Sequence, residues 1–242
     1  TSLALNIFFN AIKNGVKSLY FSAEMPREEI SKKVLNLIFD RNVEGVGLQN
    51  MGIDISEYEK EKIVDFTKQV YNSFSFVDKP FLSLEDIRRY VKDYNFNERV
   101  KAKRLGLPDE DTGVKIIFID YLQILDCSSA NPMANETDKI AKITKALKGL
   151  ALELNLAVVL MSQLNRENTK QADKRPSLSQ LKGSGAIEQD ANKIILLHRE
   201  HYYVANNQSV SDTFKEALEG VVEIIVDKNR GGQTGSCLLK WE

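Results

Sequence analysis

The sequence has few of the residues that mark secreted, membrane or redox-active proteins. Its 242 residues include two cysteines, Cys127 and Cys237, whose spacing fits no metal or redox pair. Sparse, unpaired cysteine is typical of a reducing compartment. No apolar run is long enough to cross a bilayer, and residues 1–14 have the spacing of an amphipathic helix instead of a secretory signal. We therefore expect a cytoplasmic protein without a membrane partner.

Histidine and excess positive charge are also scarce. The two histidines, His198 and His201, have no third ligand at useful spacing, which argues against a metal site built on them. The formal net charge is −1, so the protein is not coated with positive charge. This value does not exclude nucleic-acid binding, because a ring-shaped protein needs only a local basic lining.

The composition is typical of a globular protein, with 43% hydrophobic and 28% charged residues. The chain is long enough for one large α/β domain or two small ones. Apolar runs predict strands at 16–22, 115–121, 156–161, 194–197, 221–226 and 236–241. Helical spacing predicts helices over 3–14, 26–38, 55–74 and 138–155, with a capping box at Ser83–Asp86 opening another. The polar, glycine-containing stretch 95–113 predicts a surface loop.

The alternation of apolar strands with helices is typical of one architecture. It predicts the α/β class, with a mostly parallel central sheet and helices on both faces. The last two strands flank the glycine-rich segment 229–235, which predicts a C-terminal hairpin.

Polar side chains follow three of the predicted strands. Glu24 follows the first, Asp120 ends the second, and Ser162 and Gln163 follow the third. Ligands of open parallel sheets bind beyond the carboxyl ends of the strands, so these residues are candidates for one site. Each has a structural alternative, since a carboxylate after a strand is often only a helix cap or a turn residue.

Two of the candidates fit a magnesium–nucleotide site. Four apolar residues running into Asp120 form the Walker B pattern, in which the aspartate holds Mg²⁺ through water. Thr1 opens a helix, as does the last residue of the phosphate-binding loop G-x-x-x-x-G-K-[ST]. In that case its hydroxyl ligates Mg²⁺; otherwise Thr1 is only a helix cap. The loop's glycines and lysine are not in the sequence, so we expect the chain to begin partway through that loop and, without the lysine, not to bind ATP tightly.

Six stretches, taken in order, resemble the C-terminal RecA-like ATPase domain of the DnaB-type replicative DNA helicases of bacteria and phages. They are TSLALN (1–6), FSAEMP (21–26), IIFIDYLQIL (116–125), LMSQLNRE (160–167), RPSLSQLKGSGAIEQDA (175–191) and KNRGGQTG (228–235). The resemblance implies a RecA-like P-loop NTPase fold and a single motor domain over residues 1–242. The rest of the P-loop and the N-terminal domain of bacterial members are expected to be missing from it.

The resemblance also assigns roles at the ATP site. Thr1, Ser2 and Asp120 would bind the nucleotide, with Thr1 and Asp120 on its Mg²⁺. Glu24 resembles the general base that deprotonates the attacking water. Gln163 resembles the sensor that contacts the γ-phosphate and relays its loss towards the DNA-binding loops.

Three cations further along the chain are candidates for the same chemistry. Lys228 and Arg230 resemble the pair that reaches into the neighbouring subunit's ATP site, an arrangement in which the active unit is a ring. Without the resemblance, charged residues at a hairpin tip are more often simply solvated. Arg166 either contacts the nucleotide or braces its own loop.

The resemblance places the DNA contacts on one short loop. Lys182, Gly183, Ser184 and Gly185 would line the central channel, where backbone N–H groups and one lysine hold DNA phosphates without reading the bases. The alternative is a plain turn before a helix. Gly183 departs from the family pattern, which has an acidic residue there, and Asn192 stands where an aspartate is usual.

The function implied is that of a hexameric helicase motor. Hydrolysis of ATP with Mg²⁺ would drive a homohexameric ring 5′-to-3′ along single-stranded DNA, in the cytoplasm at the replisome, or in the host cytoplasm for a phage member. Primase and a helicase loader are the further partners implied. Two other classes stay open: a strand-exchange or clock-type RecA-like ATPase, and a primase- or loader-interaction module with an inactive ATP site.

Overall fold

The computed structural model describes residues 1–39, 57–70, 74–106, 108, 113–126, 135–165, 174–181, 183–205, 207 and 209–241. The chain divides into two compact units, which are described separately. The first comprises Thr1–Pro132 and Ala146–Ser162, and the second comprises Met133–Lys145 and Gln163–Glu242. The single motor domain expected over residues 1–242 stays a prediction.

A four-stranded parallel sheet forms the centre of the first unit. Its strands are β1 (Ser18–Ser22), β2 (Phe74–Asp78), β3 (Ile116–Asp120) and β4 (Ala157–Leu160), in the order β2-β1-β3-β4. All three pairings are parallel, as predicted. The carboxyl ends of β1, β3 and β4 therefore lie side by side, which is the arrangement that the candidate residues need.

Helices cover this sheet on both faces. The helices are α1 (Ser2–Lys13), α2 (Arg27–Phe39), α3 (Glu57–Val70), α4 (Leu84–Arg104) and the later part of α5 (Glu136–Leu154). Successive residues of a strand point to opposite faces. On β1, Tyr20 contacts Phe8 of α1, while Phe21 contacts Tyr90 of α4. Helices α1 and α4 consequently pack on opposite sides, as the α/β prediction requires.

Three details of the prediction for this unit were wrong. The predicted helix 55–74 ends earlier, at Val70, and Phe74 begins the unpredicted strand β2. The predicted loop 95–113 is helical as far as Arg104, because the capping box at Ser83 opens a 21-residue helix whose polar side chains face solvent. Strand β4 is only half-buried, since it lies at the edge of its sheet.

The second unit contains a three-stranded antiparallel sheet. Its strands are β5 (Lys193–His198), β6 (Val221–Asn229) and β7 (Gly235–Lys240), in the order β5-β6-β7. The β6–β7 pairing confirms the predicted hairpin. Strand β5 alternates between exposed and buried residues, so the expectation that this apolar run is buried on both faces was wrong. Three short helices accompany the sheet: α6 (Ser184–Asp190), α7 (Glu200–Val204) and α8 (Asp212–Leu218).

Within the described ranges, no helix combines the length and the apolar character needed to cross a membrane.

Candidate functional site

The carboxylate of Asp120 is the centre of the candidate site in the first unit. Asp120 is the last residue of β3 and is only 3% exposed. Its Oδ2 atom accepts hydrogen bonds from Thr1 Oγ1 at 2.7 Å and from the Tyr20 hydroxyl at 2.9 Å. The structure thus brings together Thr1 and Asp120, the two residues that sequence reasoning assigned to Mg²⁺, although 119 positions separate them.

Tyr20 was not predicted as part of this site. Its ring is fully buried on β1, between the strand that carries Asp120 and helix α1. Burial raises the pKa of the Tyr20 hydroxyl, and the nearby Asp120 carboxylate raises it further. The hydroxyl therefore stays protonated and donates to Asp120. An apolar run containing one tyrosine gave no signal of this contact.

Glu24 lies beyond the carboxyl end of β1 on a tightly held turn. The Ser22 hydroxyl donates to Met25 O at 2.7 Å and accepts from Met25 N at 3.1 Å. The next backbone amide, Ala23 N, donates to Asp120 O at 3.0 Å. These bonds fix the backbone on both sides of Glu24, whose side chain is exposed. A fixed backbone and an exposed carboxylate at the ligand-binding edge suit a group that acts on bound water.

The end of β4 joins the same edge. Leu122 N donates to Met161 O at 2.9 Å, and Gln123 Nε2 donates to Ser162 Oγ at 2.9 Å. Ser162 is accordingly held beside the segment that follows Asp120. Gln163 is exposed and belongs to the second unit. Its predicted role as a γ-phosphate sensor stays a prediction.

The donors at Asp120 match a magnesium ion better than a softer metal. Mg²⁺ prefers oxygen ligands and is held by one or two protein groups together with substrate phosphates. The Thr1 hydroxyl and the Asp120 carboxylate supply two such oxygens 2.7 Å apart. Among the described residues, no three histidine, cysteine or acidic side chains are grouped so that they could hold a metal by themselves. The residues present therefore fit a Mg²⁺ ion that arrives with a nucleotide.

Gly183 in the second unit is constrained by its backbone and by its neighbour. Its φ angle is +75°, in the left-handed region that side chains disfavour. A Cβ atom added here would lie 2.9 Å from Ile140 Cδ1. A larger side chain at this position would therefore be strained, and this includes the acidic residue that the resemblance leads one to expect here. Of the other predicted DNA contacts, Gly185 is exposed in α6, while Lys182 and the Ser184 side chain lie outside the described part of the chain.

The two cations of the predicted trans pair contact the end of α6. Arg230 Nη2 donates to Gln189 O at 2.5 Å, and Lys228 Nζ donates to Glu188 O. Arg230 N also donates to Asn192 O at 3.0 Å, a backbone contact that does not depend on the side chain at position 192. Positive charge at the carbonyl end of a helix is stabilising. The hairpin is thereby joined to the helix that starts at the predicted DNA loop.

A pocket of about 240 Å³ in the second unit was also missed by sequence reasoning. Its lining includes Arg199 and Trp241, with the guanidinium 4.5 Å from the centre of the indole ring. Arg199 Nε is buried without a hydrogen-bond partner among the described residues. His198 also lines it, stacked on Tyr203 and 2.7 Å from Glu200 Oε2.

Two further predicted features lie outside the described residues. Arg166 is one of them, so its contact with nucleotide stays a prediction. Cys127 is the other, while Cys237 is an exposed free thiol on β7.

A parallel sheet with helices on both faces, and a buried aspartate paired with a hydroxyl at its carboxyl edge, define a nucleotide-binding α/β domain of the RecA type. Residues 1–242 match the family described as the DnaB-like helicase C terminal domain, and the chain belongs to that family.

Individual relatives agree with this assignment. The chain is 34% identical over 245 residues to the replicative DNA helicase DnaB of Haemophilus influenzae, covering 100% of this chain and 46% of that protein. It resembles a solved DnaB-like replicative helicase, studied with its interactions with primase, with a TM-score of 0.76 and 28% identity over 99% of this chain and 52% of that one. A solved ATPase domain resembles the chain with a TM-score of 0.73 and a sequence identity of 27%. The match covers 99% of this chain and 76% of that one. The chain spans about half the length of the curated relatives it matches.

Proposed function

We propose that this domain is the motor of a replicative DNA helicase, in which hydrolysis of ATP drives a homohexameric ring 5′-to-3′ along single-stranded DNA and separates the duplex at the fork. The observation that carries the proposal is the hydrogen bond of 2.7 Å between Thr1 Oγ1 and Asp120 Oδ2. It places a hydroxyl and a carboxylate at the carboxyl edge of a parallel sheet, where such domains bind nucleotide.

Each candidate residue at this edge has its own role in the proposal. Thr1 and Asp120 hold the Mg²⁺ that accompanies ATP, and Ser2 adds a contact to the nucleotide. When bound, the ion neutralises charge that develops on the phosphates. Glu24 accepts the proton of the attacking water, because it is an exposed carboxylate that follows β1, the strand paired with β3.

The second unit supplies the remaining groups in this proposal. Gln163 senses the γ-phosphate, and Arg166 contacts the nucleotide. Lys228 and Arg230 contact the end of α6 within their own chain, and in this proposal they leave these contacts to reach the ATP site of a neighbouring copy. Trans cations of this kind raise hydrolysis rates by roughly 10³–10⁵-fold in phosphoryl-transfer enzymes, so a ring is the active form.

The DNA contact is assigned to the loop before α6. Lys182, Gly183, Ser184 and Gly185 hold the backbone of single-stranded DNA through N–H groups and one positive charge. Because Arg230 and Lys228 bond to the far end of α6, the loop and the trans cations belong to one connected element. This connection supports coupling between hydrolysis and movement of DNA.

Two further protein partners belong to the proposal. The solved DnaB-like helicase interacts with primase, and we propose primase and a helicase loader as partners of this protein. The site of action would be the cytoplasm, at the replisome, or the cytoplasm of a host cell if a phage encodes the protein.

The variant Glu24→Gln tests the assignment of the general base. In the full-length protein it should bind ATP with unchanged affinity and lose hydrolysis by ~10²–10⁴-fold, because an amide cannot accept the proton. Nucleotide binding by fluorescence titration and phosphate release would be measured together. Glu28→Gln, an exposed acid in the first turn of α2, is the matched control and should hydrolyse normally. Normal turnover of Glu24→Gln would exclude it as the base.

A further inference from the structure

We propose that Tyr20 is a positioning residue: its hydroxyl holds Asp120 Oδ2 so that the carboxylate meets the nucleotide-bound divalent cation in one orientation. This inference rests on the proposed function for the identity of the cation. It goes beyond that function because it assigns a role to a residue in the middle of a buried strand.

The strand register explains why a tyrosine can do this. In the pairing of β1 with β3, Tyr20 is opposite Phe118, and Ser22 is opposite Asp120. Tyr20 and Asp120 therefore share a face and are diagonal neighbours. Parallel strands lie about 4.8 Å apart and rise about 3.3 Å per residue, so such neighbours are about 8 Å apart at Cα, within reach of an aromatic side chain. The phenol reaches Asp120 Oδ2 at 2.9 Å, whereas an aliphatic residue at position 20 would be too short and could not donate.

The surroundings of Tyr20 hold its hydroxyl in place. The ring is fully buried, stacks on Phe118 with centroids 5.9 Å apart, and meets Phe8 edge-on at 5.5 Å. Phe8 belongs to α1, the same helix that Thr1 caps. The aromatic cluster thus fixes both donors relative to Asp120. Such outer contacts orient metal-binding groups, and their loss typically weakens metal affinity by roughly 10–100-fold.

The hydroxyl matters to this contact independently of the ring. A phenylalanine at position 20 would fill the same apolar space, so packing alone does not require the oxygen. In the part of the chain that the structure describes, both donors to the Asp120 carboxylate meet Oδ2 and none meets Oδ1. Removing the phenol oxygen leaves Thr1 as the remaining donor, and Thr1 is itself a cation ligand in the proposed function. When the Thr1 hydroxyl binds the ion, the Tyr20 hydroxyl remains to hold the Asp120 carboxylate in its orientation.

Binding of Mn²⁺ tests the proposal directly. Mn²⁺ affinity of the full-length protein with ADP would be measured by electron paramagnetic resonance for the unsubstituted protein, Tyr20→Phe and Tyr90→Phe. Tyr90 is a partly buried tyrosine of the same unit whose ring contacts Phe21, and it serves as the matched control. We expect Tyr20→Phe to bind Mn²⁺ about tenfold more weakly and Tyr90→Phe to bind normally. Equal affinity of all three proteins would overturn the role of Tyr20, whereas failure of the unsubstituted protein to bind Mn²⁺ would overturn the proposed metal site itself.

A double-mutant cycle tests the same contact without any metal. Tyr20→Phe should raise the unfolding equilibrium constant of the unliganded protein about tenfold, because Asp120 loses a donor. In an Asp120→Leu background the same change should be neutral or stabilising, since the buried hydroxyl then lacks its acceptor. Additive effects of the two substitutions would show that the groups are not coupled and would overturn the proposal.

Discussion

At the scale of single residues, two glycines of the predicted DNA loop differ in whether a side chain could replace the hydrogen. The backbone and surroundings of Gly183 disfavour a side chain, and those of Gly185 do not. Gly183 combines a left-handed backbone with the close approach of Ile140, a buried residue of α5. Gly185, two positions later, lies inside α6, where an added Cβ would have no atom within 4 Å. Comparing an alanine substitution at each position therefore distinguishes the effect of strain at Gly183 from the general effect of adding a methyl group.

Gly183→Ala should destabilise the second unit, whereas Gly185→Ala should not. We expect Gly183→Ala to lower the free energy of unfolding by about 1–3 kcal/mol, from strain and the contact with Ile140. Gly185→Ala should change it by less than about 1 kcal/mol, in the stabilising direction, because alanine favours helix. Urea unfolding followed by the fluorescence of Trp241, the single tryptophan of the chain and a residue of the same unit, measures both. Equal effects of the two variants would show that the strain at Gly183 is unimportant.

Site residues at the ends of strands could be predicted from the sequence. Contacts that depend on which strands are neighbours could not. Asp120 and Glu24 follow apolar runs, and a parallel sheet brings the ends of such runs to one edge, so their proximity was predictable. The contact of Tyr20 with Asp120 requires β1 and β3 to be neighbours in a fixed register. Nothing in an apolar run reveals which strand lies beside it.

At the scale of secondary-structure elements, local signals predicted starts better than ends. The capping box at Ser83 and Asp86 was predicted, and both of its bonds are present. The end of the same helix at Arg104 was missed because a polar, exposed helix has a weak apolar period. Strand β2 was missed because its five residues follow an amphipathic helix within a few positions. The helical spacing of α3 was therefore extended into residues that belong to β2.

The contacts of Asp86 with Lys79 and with the capping residue Ser83 make the stability of the first unit sensitive to acid. Hydrogen bonds from Lys79 and Ser83 lower the pKa of Asp86 from 3.8 to about 2. Because the folded state has the lower pKa, the stabilisation is present above pH 4 and is lost as the pH falls from about 4 to about 2.

Asp86→Asn tests this expectation. At pH 7 the variant should be less stable by about 1 kcal/mol, a typical contribution of a helix cap. The difference from the unsubstituted protein should shrink towards pH 2, where Asp86 itself becomes protonated. Chemical unfolding followed by circular dichroism between pH 2 and 7 gives both curves. A difference that does not change with pH would contradict the assigned cause.

At the scale of the whole molecule, the candidate groups are distributed over two compact units. Thr1, Glu24 and Asp120 belong to the first, and Gln163 and Arg230 belong to the second. The strands pair as a parallel sheet in the first unit and as an antiparallel sheet in the second, and the sequence pattern predicted a mostly parallel central sheet with a C-terminal hairpin. In the proposed function both units serve an ATP site shared between neighbouring copies in a ring, and DNA lies against the loop that precedes α6.

Hydrolysis of ATP by the full-length protein, measured with and without single-stranded DNA, tests directly whether this domain is a helicase motor. We expect Mg²⁺-dependent hydrolysis that single-stranded DNA stimulates and that Glu24→Gln abolishes. The stimulation should weaken as salt rises, because the DNA contacts are to phosphates. Hydrolysis that is absent, or that does not respond to single-stranded DNA, would contradict the proposal that this domain is a helicase motor.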